Sequence, residues 1–457
     1  MKKIITVIYA IFLTVCITHA QTSNNIVGHT EITRWQDGKK VAISLTYDDN
    51  TINQFKIALP IMNKFGFKGT FFVITGSIPG SQYMPKFIGR PINEIIAETA
   101  KISTNRENFF ERASATRVTG FADTYKYHVQ AGDLYEEGKF HQAYKTIDDG
   151  YAKIRNGNIK ASTNAIEIKK LLDYVLDVKP KIELVTWNEL KKYAKDGNEI
   201  GGHSVSHSYL CILDSINLEY ELANSREDLL NHIGPGATFS AECPFGLEDS
   251  RVMRFGHRLY PALRNRMPRP YLEEIDRSSN ADPTISNKEY VQWQRGPLSN
   301  TPMKLMKVWV DKALTKDNIW IVFAFHGIDG IGWEPLTHEE LNEYFEYIKK
   351  RESYIWEATF KNVTKYMRER MAASVRSEDN LPAKITVHLI HSLNETLYNF
   401  PLTLKTYVPR NWNMVRVSQG KYHKKASTST DSNGNYVIYR ATPNGSVIVL
   451  TKIRKAY

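Results

Sequence analysis

Cysteine is scarce in this chain: three in 457 residues, of which Cys16 falls in the N-terminal apolar segment. Cys211 and Cys243 either pair in an oxidising compartment or remain free buried thiols, and two cysteines cannot form a disulfide framework. Long hydrophobic runs are also missing. After the first twenty residues nothing resembles a transmembrane helix, and the run Ile4 to Val15 is too short to span a bilayer comfortably. There is no compact Lys/Arg block with interleaved aromatics, although 60 basic residues outnumber 49 acidic ones and the net charge is +11. Nucleic-acid binding is therefore unsupported. The excess charge reads as a solvated surface, or as attraction to acidic glycans or a membrane surface. Finally, Ser204 stands where the zinc-protease motif needs a glutamate base, which excludes that chemistry for the pair His203 and His207.

What is present begins with a secretory signature. Lys2 and Lys3, the apolar run, and Thr18-His19-Ala20 before Gln21 predict a signal peptide over residues 1–20. Leu13-Thr14-Val15-Cys16 invites a lipoprotein reading, but Val15 is bulky where a lipobox wants a small residue. The expected product is exported, periplasmic or extracellular.

The remaining length is enough for a large core and more than one domain. Val41 to Thr46 reads as a buried strand, Asn53 to Phe65 as a helix stopped by Gly66, and Gly69 to Ile74 as a second strand. Trp187 to Asp196 reads as a helix leading through Glu199-Ile200-Gly201-Gly202 into His203, and Asn318 to Phe325 as a third strong strand. Strands alternating with helices, with polar residues gathered at strand ends, predict an α/β barrel over 21–375. Residues of about 91–180 interrupt it with helical spacing, and Tyr125 to Ile154 reads as a helical hairpin turned near Gly138. Gly132, Tyr135, Gly138, Phe140 and Ala143 resemble a tetratricopeptide unit, although one such unit cannot bury its own face. This all-helical insertion either overlies the cleft, narrowing it to chain ends, or sits apart and binds a protein partner. Ser374 to Pro382 reads as a polar linker, and β-prone runs beyond it predict a small appended β-sandwich over 380–457.

Three short segments carry the chemistry: Thr46-Tyr47-Asp48-Asp49, His203-Ser204-Val205-Ser206-His207, and Phe323-Ala324-Phe325-His326. Together they supply one Asp and two His for a divalent metal, a spare Asp and a spare His, the inventory of a metal-assisted hydrolase. An extended strand would hold His203 and His207 about 13 Å apart, too far for one ion, so the segment is expected to turn as a helix does. Adjacent strand residues face opposite ways, but at a strand end both aspartates can enter one pocket, one binding metal and the other taking a proton. His326, at the C-terminal rim of a barrel strand, suits a general acid.

In these motifs the chain resembles the polysaccharide deacetylase (NodB-homology) family, carbohydrate esterase family four. Thr46 to Asp49 is similar to its first motif, Glu199 to His207 to its second, and Phe323 to His326 to its fifth; Trp187-Asn188-Glu189-Leu190 and Ile355 to Phe360 also look familial. The resemblance implies a distorted (β/α) barrel of NodB type, with Asp48 as catalytic base and His326 as general acid. It implies Asp49, His203 and His207 as ligands of one divalent metal, most often zinc, whose bound water is the nucleophile. Glu242-Cys243-Pro244-Phe245-Gly246 matches the third motif, with the Phe245 N–H at the oxyanion. Many members carry an arginine that pairs with the catalytic aspartate where Glu242 stands, and a carboxylate beside Asp48 would raise its pKa. Trp293-Gln294-Arg295 is the nearest match to the fourth motif. An exchanged pair is the resulting expectation, with Arg295 neutralising Glu242. Trp333 is a candidate for lining the cleft and stacking on a sugar ring.

The implied activity is removal of N- or O-acetyl groups from a polysaccharide or oligosaccharide. Two other readings stand beside it: a carbohydrate-binding protein on a decayed enzyme scaffold, and a metal-dependent amidase or esterase acting on a non-sugar compound.

Overall fold

The structure is a computed structural model and describes residues 26–119, 121–159, 183–246, 249–264, 266–267, 272–380 and 384–453. The predicted signal peptide lies outside the described residues.

Among the described residues, nine parallel strands form the central sheet. Named by first residue, eight run in the order Ala262, Ser240, Glu199, Thr70, Val41, Ile319, Tyr290, Leu272, and Ile355–Glu357 pairs with the N-terminal half of Val41–Tyr47. The two central strands, Val41–Tyr47 and Ile319–Phe325, are buried at every position, as strands covered on both faces must be. One face holds a core of Leu45, Tyr47, Phe71, Phe323 and Phe325, covered by helices such as Leu59–Phe65 and His338–Lys349. The sheet curls into an open barrel. Side chains bridge the open side, Gln292 and Gln294 of the penultimate strand both donating to the carbonyl of Arg264 beyond the end strand Ala262–Leu263.

Helix boundaries follow local chemistry. Thr186 and Glu189 form a reciprocal capping box at Trp187–Lys195, and Gly66 ends Leu59–Phe65 at φ 76°, where a Cβ would be strained. The helix expected over Asn53 to Phe65 begins as a π turn, Gln54–Ala58. That turn is functional in position: Gln54 Nε2 donates to the carbonyls of both Asp48 and His326, tying two strand ends together.

The insertion is helical where described: Ile92–Glu98, Phe109–Thr119, Phe121–Glu136 and Phe140–Arg155. The last two form the expected hairpin, turning at Gly138 with φ 73°. Their apolar face packs on Tyr209, Leu210, Ile212 and Leu222 of the barrel, so neighbouring repeats are not needed to cover it.

Two expectations for the C-terminal region need correction. Ser374–Asn380 is not a linker but a strand, antiparallel to Lys384–Ile390, in a sheet of five. Facing it is a sheet of four that includes Thr30–Ile32, a strand from the far N-terminal side of the barrel. Nor is this sandwich merely appended. Leu402, Leu404, Val415 and Leu450 share one continuous core with Trp320, Phe360, Val363 and Tyr366 of the barrel. Non-local pairing across more than 370 residues leaves no trace in a local hydrophobic pattern.

Candidate metal centre and active-site cleft

The strand Val41–Tyr47 ends by delivering Asp48 and Asp49 to the C-terminal rim. Asp49 and Asn50 then adopt left-handed backbone, φ 74° and 47°, a conformation that needs outside support in residues bearing a Cβ. Asn50 supplies it, accepting from Ile74 N at 2.9 Å and donating to Ser77 Oγ at 3.1 Å. The reversal brings both aspartates into one pocket.

Glu199–Gly202 delivers His203 in the same way. The segment 203–207 is a turn rather than the expected helical one: Ser204 and His207 have φ 62° and 54°. Ser204 Oγ accepts from His207 N at 2.9 Å. The turn is held from below by a buried pair, Arg117 Nη1 on Glu221 Oε1 at 2.5 Å. Glu221 accepts the N–H groups of Val205 and Ser206 at 3.0 and 2.8 Å, and Arg117 donates to the hydroxyl of Ser206 at 3.1 Å. Tyr125 donates its hydroxyl to the carbonyl of His207. Arg117 and Tyr125 both belong to the insertion, which therefore shapes the histidine turn as well as adjoining it.

Asp49 Oδ1 lies 3.4 Å from His203 Nε2 and 3.3 Å from His207 Nε2. It is buried and receives no well-directed hydrogen bond. Ligands 2.0–2.1 Å from a tetrahedral centre stand about 3.3–3.4 Å apart, so the three donors have the spacing of atoms sharing one ion. His203 Nδ1 donates to the carbonyl of Glu242 at 3.0 Å, which leaves Nε2 with its lone pair toward Asp49. The residues present fit a divalent metal.

Asp48 is gripped by a residue that motif reasoning missed. Arg264 donates Nη1 to Oδ1 at 2.8 Å and Nη2 to Oδ2 at 2.7 Å, and Nη1 also reaches Thr46 Oγ1 at 2.8 Å. The same guanidinium pairs with Glu242 Oε1 at 2.8 Å. All three side chains are buried. Burial alone would raise the Asp48 pKa; Arg264, together with His326 and His203, outweighs it and the result lies below the ordinary value. Glu242 goes the other way, raised by burial and by Asp48 despite Arg264. Two expectations are thus corrected: Asp48 is not lifted by the neighbouring carboxylate, and Arg295 does not neutralise Glu242. Arg295 instead donates to the carbonyls of Arg277 and Ser279, at 3.2 and 2.9 Å, and stacks over Trp293. Arg264 stands one residue past the short strand Ala262–Leu263. A charged residue closing the apolar run Ala262-Leu263 was the available signal.

His326 places Nε2 3.4 Å from Asp48 Oδ2, and burial lowers its pKa to about 4 against the pull of Asp48. Trp333, 48% exposed, meets the His326 ring edge-on at 4.7 Å. Phe245 sits at φ 66°, its ring stacked on Tyr209 at 4.6 Å and edge-on to His207 at 4.8 Å.

One cavity of about 490 Å³ is lined by Asp48, Asp49, His203, His207, Glu242, Phe245, His326 and Trp333, so every candidate except Arg295 opens onto it. The insertion contributes Val129 and Asp133 to the wall, with Asp133 accepting from Tyr209 OH at 3.2 Å. Of the two placements open for the insertion, it is the one over the cleft that is observed. Cys211 and Cys243 are buried and not bonded to each other.

Residues 137–259 match the family model described as polysaccharide deacetylase. That stretch contains both histidines of the turn and Phe245; Asp48, Asp49, Arg264 and His326 lie outside it and are brought in by the fold. Over that stretch the chain is similar to the polysaccharide deacetylase family. It is similar to a gellan lyase from a Bacillus species, 24% identical over 279 residues, covering 58% of this chain and 11% of that protein. The chain thus spans about a tenth of the curated relative it matches. Among solved structures it is similar to PdaA of Bacillus subtilis, a family 4 carbohydrate esterase, at 12% identity and TM-score 0.32, covering 73% of this chain and 83% of that one. The Xyl-CE4 domain of a xylanase from the Trinervitermes trinervoides hindgut metagenome matches at 12% identity and TM-score 0.31, covering 72% and 90%.

Proposed function

We propose that this chain is an exported, metal-dependent deacetylase that removes N- or O-acetyl groups from a polysaccharide or oligosaccharide. One observation carries the reading: Asp49, His203 and His207 converge on one side of the cavity while Asp48, locked by Arg264, faces His326 on the other.

Asp49, His203 and His207 would hold the ion, and the two-imidazole, one-carboxylate set suits zinc. Bound there, it supplies Lewis acidity, acidifying water and polarising the acetyl carbonyl. The rest is done by side chains of this protein. Arg264 keeps Asp48 ionised and fixed, so that Oδ2 takes the proton lost by the attacking water. His326, 3.4 Å from that oxygen, relays the proton taken by Asp48 to the nitrogen or oxygen leaving with the sugar. The N–H of Phe245 meets the carbonyl oxygen as its charge develops. Trp333 stacks on a sugar ring, and Val129 and Asp133 close the far wall.

The test is acetate release from a panel of acetylated glycans, neutral and acidic, including acetylated xylan and chitooligosaccharides. Release that stops on metal chelation and returns with added zinc is expected. Binding of the same glycans with no acetate released would favour a scaffold that only binds.

A further inference from the structure

Arg277 lines the same cavity, two residues past the strand Leu272–Ile275 on the side opposite the histidine turn in strand order. It differs from the other arginines that serve the site. Arg264 is paired with Asp48, Glu242 and Thr46, and Arg117 with Glu221, Ser206 and Asn217. Among the described residues, the Arg277 guanidinium has neither a carboxylate partner nor a hydrogen bond. Its position is nonetheless built. Gly296 leaves room for the side-chain stem, since a Cβ there would lie 3.1 Å from Arg277 Cδ. Arg295 fixes the backbone by donating to the carbonyls of Arg277 and Ser279. A half-buried guanidinium held in place and left unpaired beside the reacting groups is a receptor for an anion that arrives with the substrate.

We propose that Arg277 selects acetylated sugars that carry a carboxylate, binding that carboxylate through its planar fork while Asp48 and His326 act on the acetyl group. The inference rests on the deacetylase reading above and narrows its substrate class. A separate observation points the same way. Residues 374–453 carry ten lysines and arginines against four acidic residues. Tyr422, His423, Lys424 and Lys425 are all exposed on the strand Tyr422–Ser427 at one edge of its sheet. That is a surface that attracts a polyanion at long range.

The carboxylate could belong to a uronic acid or to an ether-linked acid side group on an amino sugar, and substrate arms separate the two. The first arm compares acetylated glucuronan with the same polymer after carboxyl reduction. The second compares peptidoglycan glycan strands with strands whose muramic carboxyls are blocked as amides. Wild-type enzyme should prefer the native polymer of one pair by about 10- to 100-fold in kcat/KM, mostly through KM. Arg277→Gln should bring that ratio close to one, and Arg277→Lys, which keeps the charge but loses the fork, should fall between. The wild-type comparison stands even if a variant misfolds. Equal rates on native and neutralised polymers in both pairs, or a ratio that Arg277→Gln leaves intact, would overturn the inference while leaving deacetylation standing. No acetate from any glycan would remove both.

Discussion

The barrel carries two additions, and they do different things. The helical insertion enters the site: Val129 and Asp133 line the cavity, Tyr125 holds the carbonyl of His207, and Arg117 anchors the turn between the histidines. The C-terminal sandwich shares a core with the barrel through Trp320 and Phe360 but, among the described residues, contributes none to the cavity. One addition is built into the site and the other into the stability of the scaffold. Size and charge would not have separated them; the contacts do.

The contrast can be broken by matched substitutions. Arg117→Met leaves Glu221 buried without its cation and should cost about 3–5 kcal/mol of stability. It should also loosen the histidine turn and weaken metal affinity by about 10- to 100-fold, read by metal titration of the folded protein. Leu404→Ala in the sandwich should cost a comparable 2–5 kcal/mol by denaturant unfolding, with metal affinity and kcat per folded molecule unchanged. If Leu404→Ala shifted metal affinity as far as Arg117→Met does, the division between the additions would be lost. A smaller effect sharpens it. At Gly132 a Cβ would lie 2.4–2.6 Å from the ring atoms of Tyr209, which in turn stacks on Phe245. Gly132→Ala should cost about 1–3 kcal/mol by overpacking, and should raise KM more than it lowers melting temperature relative to other substitutions of similar cost.

Much of the site was legible because it is local. Asp48, His203 and His326 each stand just past a strand, with Asp49 and His207 close behind, and residues past parallel strand ends meet at one rim. The turn through His203 was misread as helical because left-handed backbone at Ser204 and His207 has no mark in side chains that are neither Gly nor Asn. Arg264 was missed for a different reason. Its strand is two residues long, too short for any periodicity, and its partnership with Asp48 spans 216 residues. Glu242 then pointed to an exchange with Arg295, when the cation stands past the next strand as Arg264. Thr30–Ile32 and Ser374–Asn380 were overlooked because sheet membership depends on partners, not on the three or seven residues themselves.

The most direct test of the central claim pairs metal content with acetate release in single variants. Asp48→Ala should keep one divalent ion per chain and lose acetate release by several orders of magnitude, while Asp49→Ala and His203→Ala should lose the ion and the activity together. Full metal occupancy in Asp49→Ala, or undiminished turnover in Asp48→Ala, would contradict the account.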